Sequence, residues 1–108
     1  MHEEIIEHVY KNDANKALAN NYGEVLYNRQ LVNAMYDVEA IRKAMSRYGN
    51  KPLTGDQYRW GFENLDLTQK DLDKLGFARV VRPLKVTCKD HETSGPVMIQ
   101  QWNGKAWV

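Results

Sequence analysis

Tyr27-Asn-Arg-Gln-Leu31-Val-Asn-Ala-Met35-Tyr-Asp-Val38-Glu-Ala-Ile41-Arg-Lys-Ala-Met45-Ser-Arg-Tyr48, followed by Gly49, is the stretch whose reading decides the fold. Leu31, Ala34, Met35, Val38, Ile41, Met45 and Tyr48 recur every three or four residues, which lays them on one face of an α-helix. Val32, Tyr36 and Ala40 widen that stripe on one flank. Glu39 and Lys43 stand four apart in the favourable order, and Arg42, Lys43 and Arg47 suit the negative C-terminal end of the helix dipole. Gly49 is a natural residue to end the helix, with Pro52 shortly after. A wide apolar stripe is expected to be core and carries no chemistry by itself.

Upstream, Ile5, Ile6, Val9 and Tyr10 share a face, and Glu3, Glu4 and Glu7 favour a helical first turn, so Glu3–Tyr10 reads as a short helix. It is too short to be stable alone and is expected to dock on something. Asn12–Tyr22 is rich in Asn and Ala and reads as a loop, closed by Gly23. Glu24–Tyr27 reads as an extended approach to the long helix.

Downstream, Thr54 and Gln57 make a capping box, opening a helix with Tyr58, Phe62 and Leu65 inward. Gly61 inside it suggests close packing, and Asn64–Leu67 breaks it. Thr68 and Asp71 give a second cap, with Leu72 and Leu75 inward and Gly76 ending the helix, over which Phe77 folds back. From Leu84 the period changes to two. Leu84, Val86 and Cys88 predict a half-buried strand, Lys89–Pro96 a loop, and Val97–Trp102 a second strand. Asn103-Gly104 predicts a two-residue type I′ turn, with Lys105–Val108 returning. The fold class expected is therefore α+β: one long helix, two or three short ones, and a small C-terminal antiparallel hairpin sheet. Residues 1–108 read as a single partial domain whose two ends look cut from something larger.

The chain has 108 residues, 43% hydrophobic and 27% charged, with net charge +1. These are the values of a globular chain. Basic residues are interspersed with acids, so the clustered basic face of a nucleic-acid binder is missing and no nucleic-acid partner is expected. Apolar runs fall far short of the roughly 20 residues that cross a bilayer. The single cysteine, Cys88, excludes an internal disulfide and a CxxC pair. The start, Met-His-Glu-Glu-Ile-Ile-Glu-His, has neither the basic nor the apolar region of a secretion signal.

Six stretches taken together carry a resemblance. They are Gly23-Glu-Val-Leu-Tyr-Asn-Arg29, Val38-Glu-Ala-Ile-Arg42, Lys51-Pro-Leu-Thr-Gly55, Trp60-Gly-Phe-Glu-Asn-Leu65, Pro83-Leu-Lys-Val-Thr-Cys-Lys-Asp-His91 and Ile99-Gln-Gln-Trp-Asn-Gly-Lys-Ala-Trp107. None is specific alone; their order is. The series resembles the C-terminal part of substrate-binding proteins of ABC transporters, of the branched-chain amino acid (Leu/Ile/Val-binding) type, from about Gly23 to Val108. The resemblance implies a two-lobe α/β periplasmic fold, with an amino acid or small aromatic acid enclosed between the lobes and delivered to a membrane permease. It implies a periplasmic location; without a signal peptide, a true start at Met1 would make the chain cytoplasmic. The first lobe and most ligand-binding loops of that family are lacking. The chain is thus expected to be a C-terminal fragment unable to bind ligand alone and prone to self-association through exposed apolar surface.

Tyr27, Asn28 and Arg29 are the candidate ligand-binding residues. They lie just before or in the first turn of the long helix, whose free N–H groups attract anions, and Arg29 is suited to gripping a carboxylate. The plainer reading is a solvated arginine at a helix start. His91, between Asp90 and Glu92, has the form of an oriented base but no nucleophile beside it, and reads better as a loop residue fixing a turn. Cys88 reads as a buried small hydrophobe, and Trp102 and Trp107 as a cross-strand pair. His2 and His8 are wrongly spaced for a metal pair. No catalytic residue, metal or cofactor is expected, and the chain is not expected to be an enzyme. The alternative reading is a stand-alone α+β interaction domain assembling through the long helix.

Overall fold

The N-terminal residues do form a helix. α1 (His2–Ile5) continues as a π-helical turn over Ile6–Tyr10 in the computed structural model, which describes residues 2–11, 24–92, 99–106 and 108. Ile5 and Tyr10 are half-buried, but Ile6 and Val9 are exposed. The loop expected over Asn12–Gly23, the end of the loop expected over Lys89–Pro96, the first residues of the strand expected over Val97–Trp102, and Trp107 lie outside the described residues.

α2 runs Val25–Tyr48. Glu24 is the extended residue before it, and its carbonyl accepts from the Asn28 N–H at 2.9 Å. The approach expected to be extended over Glu24–Tyr27 is thus helical from Val25, because nothing in Val-Leu-Tyr resists a helix strongly enough to delay its start. Gly49 ends it at φ +92, where its N–H donates to the Met45 carbonyl at 2.9 Å. Glu39 pairs with Arg42 at 3.5 Å, the residue before the expected partner Lys43.

Both capping boxes form. Thr54 Oγ1 accepts from the Gln57 N–H (3.3 Å) while Gln57 Oε1 accepts from the Thr54 N–H (3.1 Å), which starts α3 at Gly55–Phe62. Thr68 and Asp71 exchange the same bonds and start α4 at Gln69–Leu75. Gly76 closes α4 in the left-handed region at φ +76, and the Phe77 N–H reaches back to the Leu72 carbonyl at 2.8 Å.

Between α3 and α4 lies β1 (Asp66–Leu67), a segment expected only to break the helix. It pairs antiparallel with β2 (Leu84–Lys85), in the register Asp66 with Lys85 and Leu67 with Leu84. The Val86 N–H adds a bond to the Leu65 carbonyl at 2.8 Å. β2 is therefore shorter than the strand expected from Leu84 to Cys88. At Thr87 the chain reverses: Thr87 and Asp90 exchange backbone bonds at 3.0 and 3.1 Å, and Thr87 Oγ1 also accepts from the Asp90 N–H. Cys88 rides on the tip of that turn and is exposed, not buried.

The C-terminal hairpin forms with a shifted register. Gln101 and Val108 exchange two bonds at 2.9 Å, and the Asn103 N–H donates to the Ala106 carbonyl. The central residues are thus Gly104 and Lys105, not Asn103 and Gly104. Asn103 Oδ1 accepts from the N–H groups of both Lys105 and Ala106, each at 2.9 Å, which holds Asn103 at the foot of the turn. Gly104, at φ +95, takes the left-handed position.

The architecture of the described residues is α+β, with a two-stranded antiparallel sheet. It lends no support to the two-lobe α/β expectation. Such a lobe is built on parallel strands joined by crossover helices, and the pair here runs antiparallel.

The core lies where α2, α4 and the sheet meet. Met35, Leu65, Leu67 and Leu72 are buried there, with Leu75, Phe77, Val81, Leu84 and Val86 packed around them. A second contact joins α2 to α3 through Ala40 and Ala44, both fully buried, and Gly61. A side chain at Gly61 would run into the Ala40 carbonyl and come within 3.2 Å of the Ala44 methyl, so the absent Cβ sets the helix spacing.

Candidate functional site

The α2–α3 pair opens toward the sheet and leaves a cleft of about 920 Å³. Its floor is apolar: Tyr36 from α2, Phe62 from α3, Leu65 before β1, Leu84 in β2 and Val86 just after it. Tyr58 and Phe62, one turn apart on α3, meet edge to face with centroids 5.1 Å apart. The four-residue spacing that makes α3 amphipathic thus puts both rings on the cleft side.

The rim is charged and internally paired. Glu63, at the end of α3, has a side chain only 14% exposed and Oε1 2.9 Å from Arg59 Nε. The same oxygen lies 3.6 Å from His91 Nε2. One carboxylate therefore faces two basic side chains, one from its own helix and one brought by the Thr87–Asp90 turn. That turn is braced by side chains on both sides: beyond the Thr87 bonds, Asp90 Oδ1 accepts from the Glu92 N–H at 3.1 Å. His91 accordingly does not fix the turn. The turn presents His91 to Glu63.

Tyr58 Oη donates to Asp37 Oδ1 at 2.8 Å, tying α3 to α2 at the cleft edge. Partial burial raises the Tyr58 pKa, and the hydrogen bond and negative charge of Asp37 add to the shift. Burial likewise raises Tyr36 on the floor. The Glu63 hydrogen bond and then its charge raise Arg59 further. In each case the proton-bearing form is the one favoured. This arrangement can hold an apolar or aromatic group on its floor while the rim meets a polar end. Cys88 lines the same cleft from the turn tip.

Tyr27, Asn28 and Arg29 occupy the first and second turns of α2, where Tyr27 and Asn28 are half-buried and Arg29 is exposed. None of the three lines the cleft. The Asn28 N–H already donates within the helix, to Glu24. The sequence reading placed Tyr58 only on the apolar face of its helix and did not single out Arg59 and Glu63 as a site, although they carry an i, i+4 signal. His91 was noticed, but its partner is distant in sequence and no spacing rule reaches it.

Neither a protein-family model nor a curated protein sequence matches the chain. Among solved structures, it is similar to one described as an ABC transporter permease from Pseudomonas fluorescens group. The two share 37% sequence identity at a TM-score of 0.82 over 98% of this chain. The match covers 26% of the neighbour, so this chain spans about a quarter of its length. The neighbour keeps the ABC-transporter context but is a permease, not a substrate-binding protein. That corrects the resemblance drawn from Gly23–Val108, and with it the solute-binding role and the branched-chain amino acid ligand. The stand-alone interaction domain gains no better support. No described helix is long and apolar enough to cross a membrane.

Proposed function

We propose that this chain is a permease-type segment of an ABC transporter, positioned outside the bilayer and working by docking without covalent chemistry. The observation that carries the reading is the neighbour's likeness over 98% of the chain at 37% identity.

The extramembrane position rests on α2. Its 24 residues would reach across a hydrocarbon core of about 30 Å at 1.5 Å per residue. Arg29, Asp37, Glu39, Arg42, Lys43 and Arg47 ride on it, however, and charges at the bilayer centre cost several kcal/mol each. The cleft then serves as a contact surface for an apolar side chain of another transporter component. Glu63 is already bonded to Arg59 and faced by His91, with both basic side chains largely exposed, which suits a polar rim of an interface better than a reacting centre.

The test is recovery of the tagged chain from the membranes of the organism that encodes it, after mild cross-linking and solubilisation. An ABC nucleotide-binding subunit identified by mass spectrometry among the cross-linked partners is the expected result. Its capture is expected to fall when Leu84→Asp places a charge on the cleft floor. Cross-links that contain no ABC subunit would remove the reading.

A further inference from the structure

Arg59 stands on the cleft rim with its orientation fixed and its outer edge open. Its Nε donates to Glu63 Oε1 at 2.9 Å, and that carboxylate sits in a side chain only 14% exposed. The bond sets the direction of the guanidinium. Among the described residues, no hydrogen bond engages its terminal amino groups. The arginine side chain is 68% exposed, so those groups face the cleft mouth. They form the planar fork that matches the two oxygens of a carboxylate. His91 stands across the same Glu63 oxygen, with its side chain 63% exposed. Glu92, also exposed, is the other acid lining the cleft.

The apolar floor begins beside that fork. Arg59 and Phe62 are three residues apart on α3, which places their Cβ atoms about 5–6 Å apart on one face. Phe62 adjoins Tyr36 and Leu84 on the floor and meets Tyr58 edge to face. Rings so arranged favour a further ring over an aliphatic group of equal area. The charge on offer selects an acid. Glu63, the carboxylate that a cationic guest would need, is largely buried and already held by Arg59, whereas the guanidinium is exposed. The openness of both basic side chains favours a protein segment over a free small acid, since pockets for small molecules cover about 70–90% of the ligand surface.

We propose that the cleft takes a protein segment carrying an aromatic side chain and a carboxylate on one face, the ring on Tyr36, Phe62 and Leu84 and the carboxylate on the Arg59 fork. The inference rests on the reading of the cleft as a contact surface and names the chemistry of what it contacts.

The test titrates the isotope-labelled whole chain with the blocked peptide N-acetyl-Phe-Gly-Glu-amide, in which residues two apart share a face when extended. Counterparts carry Gln for Glu or Ala for Phe. The parent peptide is expected to shift the amide signals of Arg59, Phe62 and Val86, and to bind at least about fivefold tighter than either counterpart, the scale of a charge-assisted hydrogen bond. Arg59→Gln is expected to erase the preference for Glu over Gln, and Arg59→Lys to lose most of it, because an ammonium is a point charge and not a fork. Glu92→Gln, which leaves fork and floor in place, is expected to tighten binding roughly twofold by removing a repelling charge. No shift by the parent at millimolar concentration, equal affinity for the Glu and Gln peptides, or tighter binding of a Lys-bearing counterpart would overturn the inference. Free 3-phenylpropionate bound at least about tenfold tighter than the parent peptide would overturn it in favour of a small acid. ABC-subunit capture that Leu84→Asp lowers but Arg59→Gln leaves unchanged would overturn it and spare the proposed function. Absence of any ABC subunit beside an intact peptide preference would remove the proposed function alone.

Discussion

Gly61→Ala tests the contact that sets the spacing of α2 and α3. Two effects oppose each other. In a helix interior, alanine is favoured over glycine by about 1 kcal/mol. Against that, the added methyl meets the Ala40 carbonyl oxygen first, its carbon at 3.0 Å, and the Ala44 methyl at 3.2 Å. The nearest obstacle is backbone held in the hydrogen-bond ladder of α2, so it cannot swing aside as a flexible side chain would. Relief requires α3 to move bodily off α2, and overpacking of this kind costs roughly 1–3 kcal/mol. Opening the seam also wets Ala40 and Ala44, now fully buried. The net expectation is a loss of about 1–2 kcal/mol, or roughly 5–10 °C in melting temperature for a domain of this size.

The control is Gly55→Ala, at the first residue of α3, where an added Cβ meets nothing within 4 Å. It is expected to be neutral or slightly stabilising. Urea denaturation followed by far-UV circular dichroism and by the fluorescence of Trp60, which lies edge-on to Tyr48 at 5.6 Å, measures both variants. Adding Ala44→Gly to Gly61→Ala is expected to restore only part of the loss, because the closest atom belongs to the Ala40 backbone. A Gly61→Ala protein as stable as Gly55→Ala would refute the reasoning, since α2 and α3 could not then be in the contact described.

The remaining expectations are read by the same denaturation assays. Leu72→Ala empties a fully buried position in the α4 core and is expected to cost about 2–5 kcal/mol. Thr68→Ala removes the oxygen that accepts from the Asp71 N–H, a cap worth about 1 kcal/mol. Asp71 is held below its ordinary value by the Thr68 hydroxyl and then the Thr68 backbone N–H. Its contribution is therefore present above the unfolded value near 3.8 and is lost as pH falls through the lower folded value. The stability gap between wild type and Asp71→Asn is accordingly expected to close in acid, read as urea midpoints from pH 6 down to pH 2. Tyr58 runs the other way: its folded pKa is raised, so its contribution holds below 10.0 and is lost as pH rises through the folded value. Tyr58→Phe is expected to cost about 1 kcal/mol at neutral pH and to remove that alkaline dependence.

Local signals in the sequence transferred well to the structure because their causes are local. Thr54 with Gln57 and Thr68 with Asp71 each need only three residues and a hydrogen bond, and both caps form. Gly49 and Gly76 stop their helices for the same reason, since each sits at a positive φ that costs glycine little. What failed depended on partners distant in sequence. Leu84 alternates with its neighbours as half-buried strands do, yet the pattern does not say which strand it pairs with, and the partner is Leu67. Cys88 continues that alternation on paper, but Thr87 and Asp90 turn the chain before it and put the thiol outside. The cleft was illegible for the same reason, as Glu63 and His91 meet only after β2 and the following turn are in place. In the C-terminal hairpin, the Asn103 side chain replaced a backbone acceptor and moved the turn by one residue.

The long helix shows why an apolar stripe is weaker evidence of core than its regularity suggests. Large apolar residues dominate any reading of amphipathicity, and on α2 most of them fall on the Leu31–Val38–Met45 side, of which Met35 is buried in the core and Val38 is 47% exposed. Close helix packing selects for something else, a strip of small residues that lets two backbones approach. Ala40, Ala44 and Gly61 supply that strip. α2 thus has two apolar faces with different chemistry. The small-residue face is already matched, atom against atom, within the chain. The large-residue face has the greater area still to remove from water, at about 25 cal/mol per Å². The inner contact therefore fixes the spacing of α2 and α3, while the outer stripe contributes little to stability as long as Val38 stays half open to water.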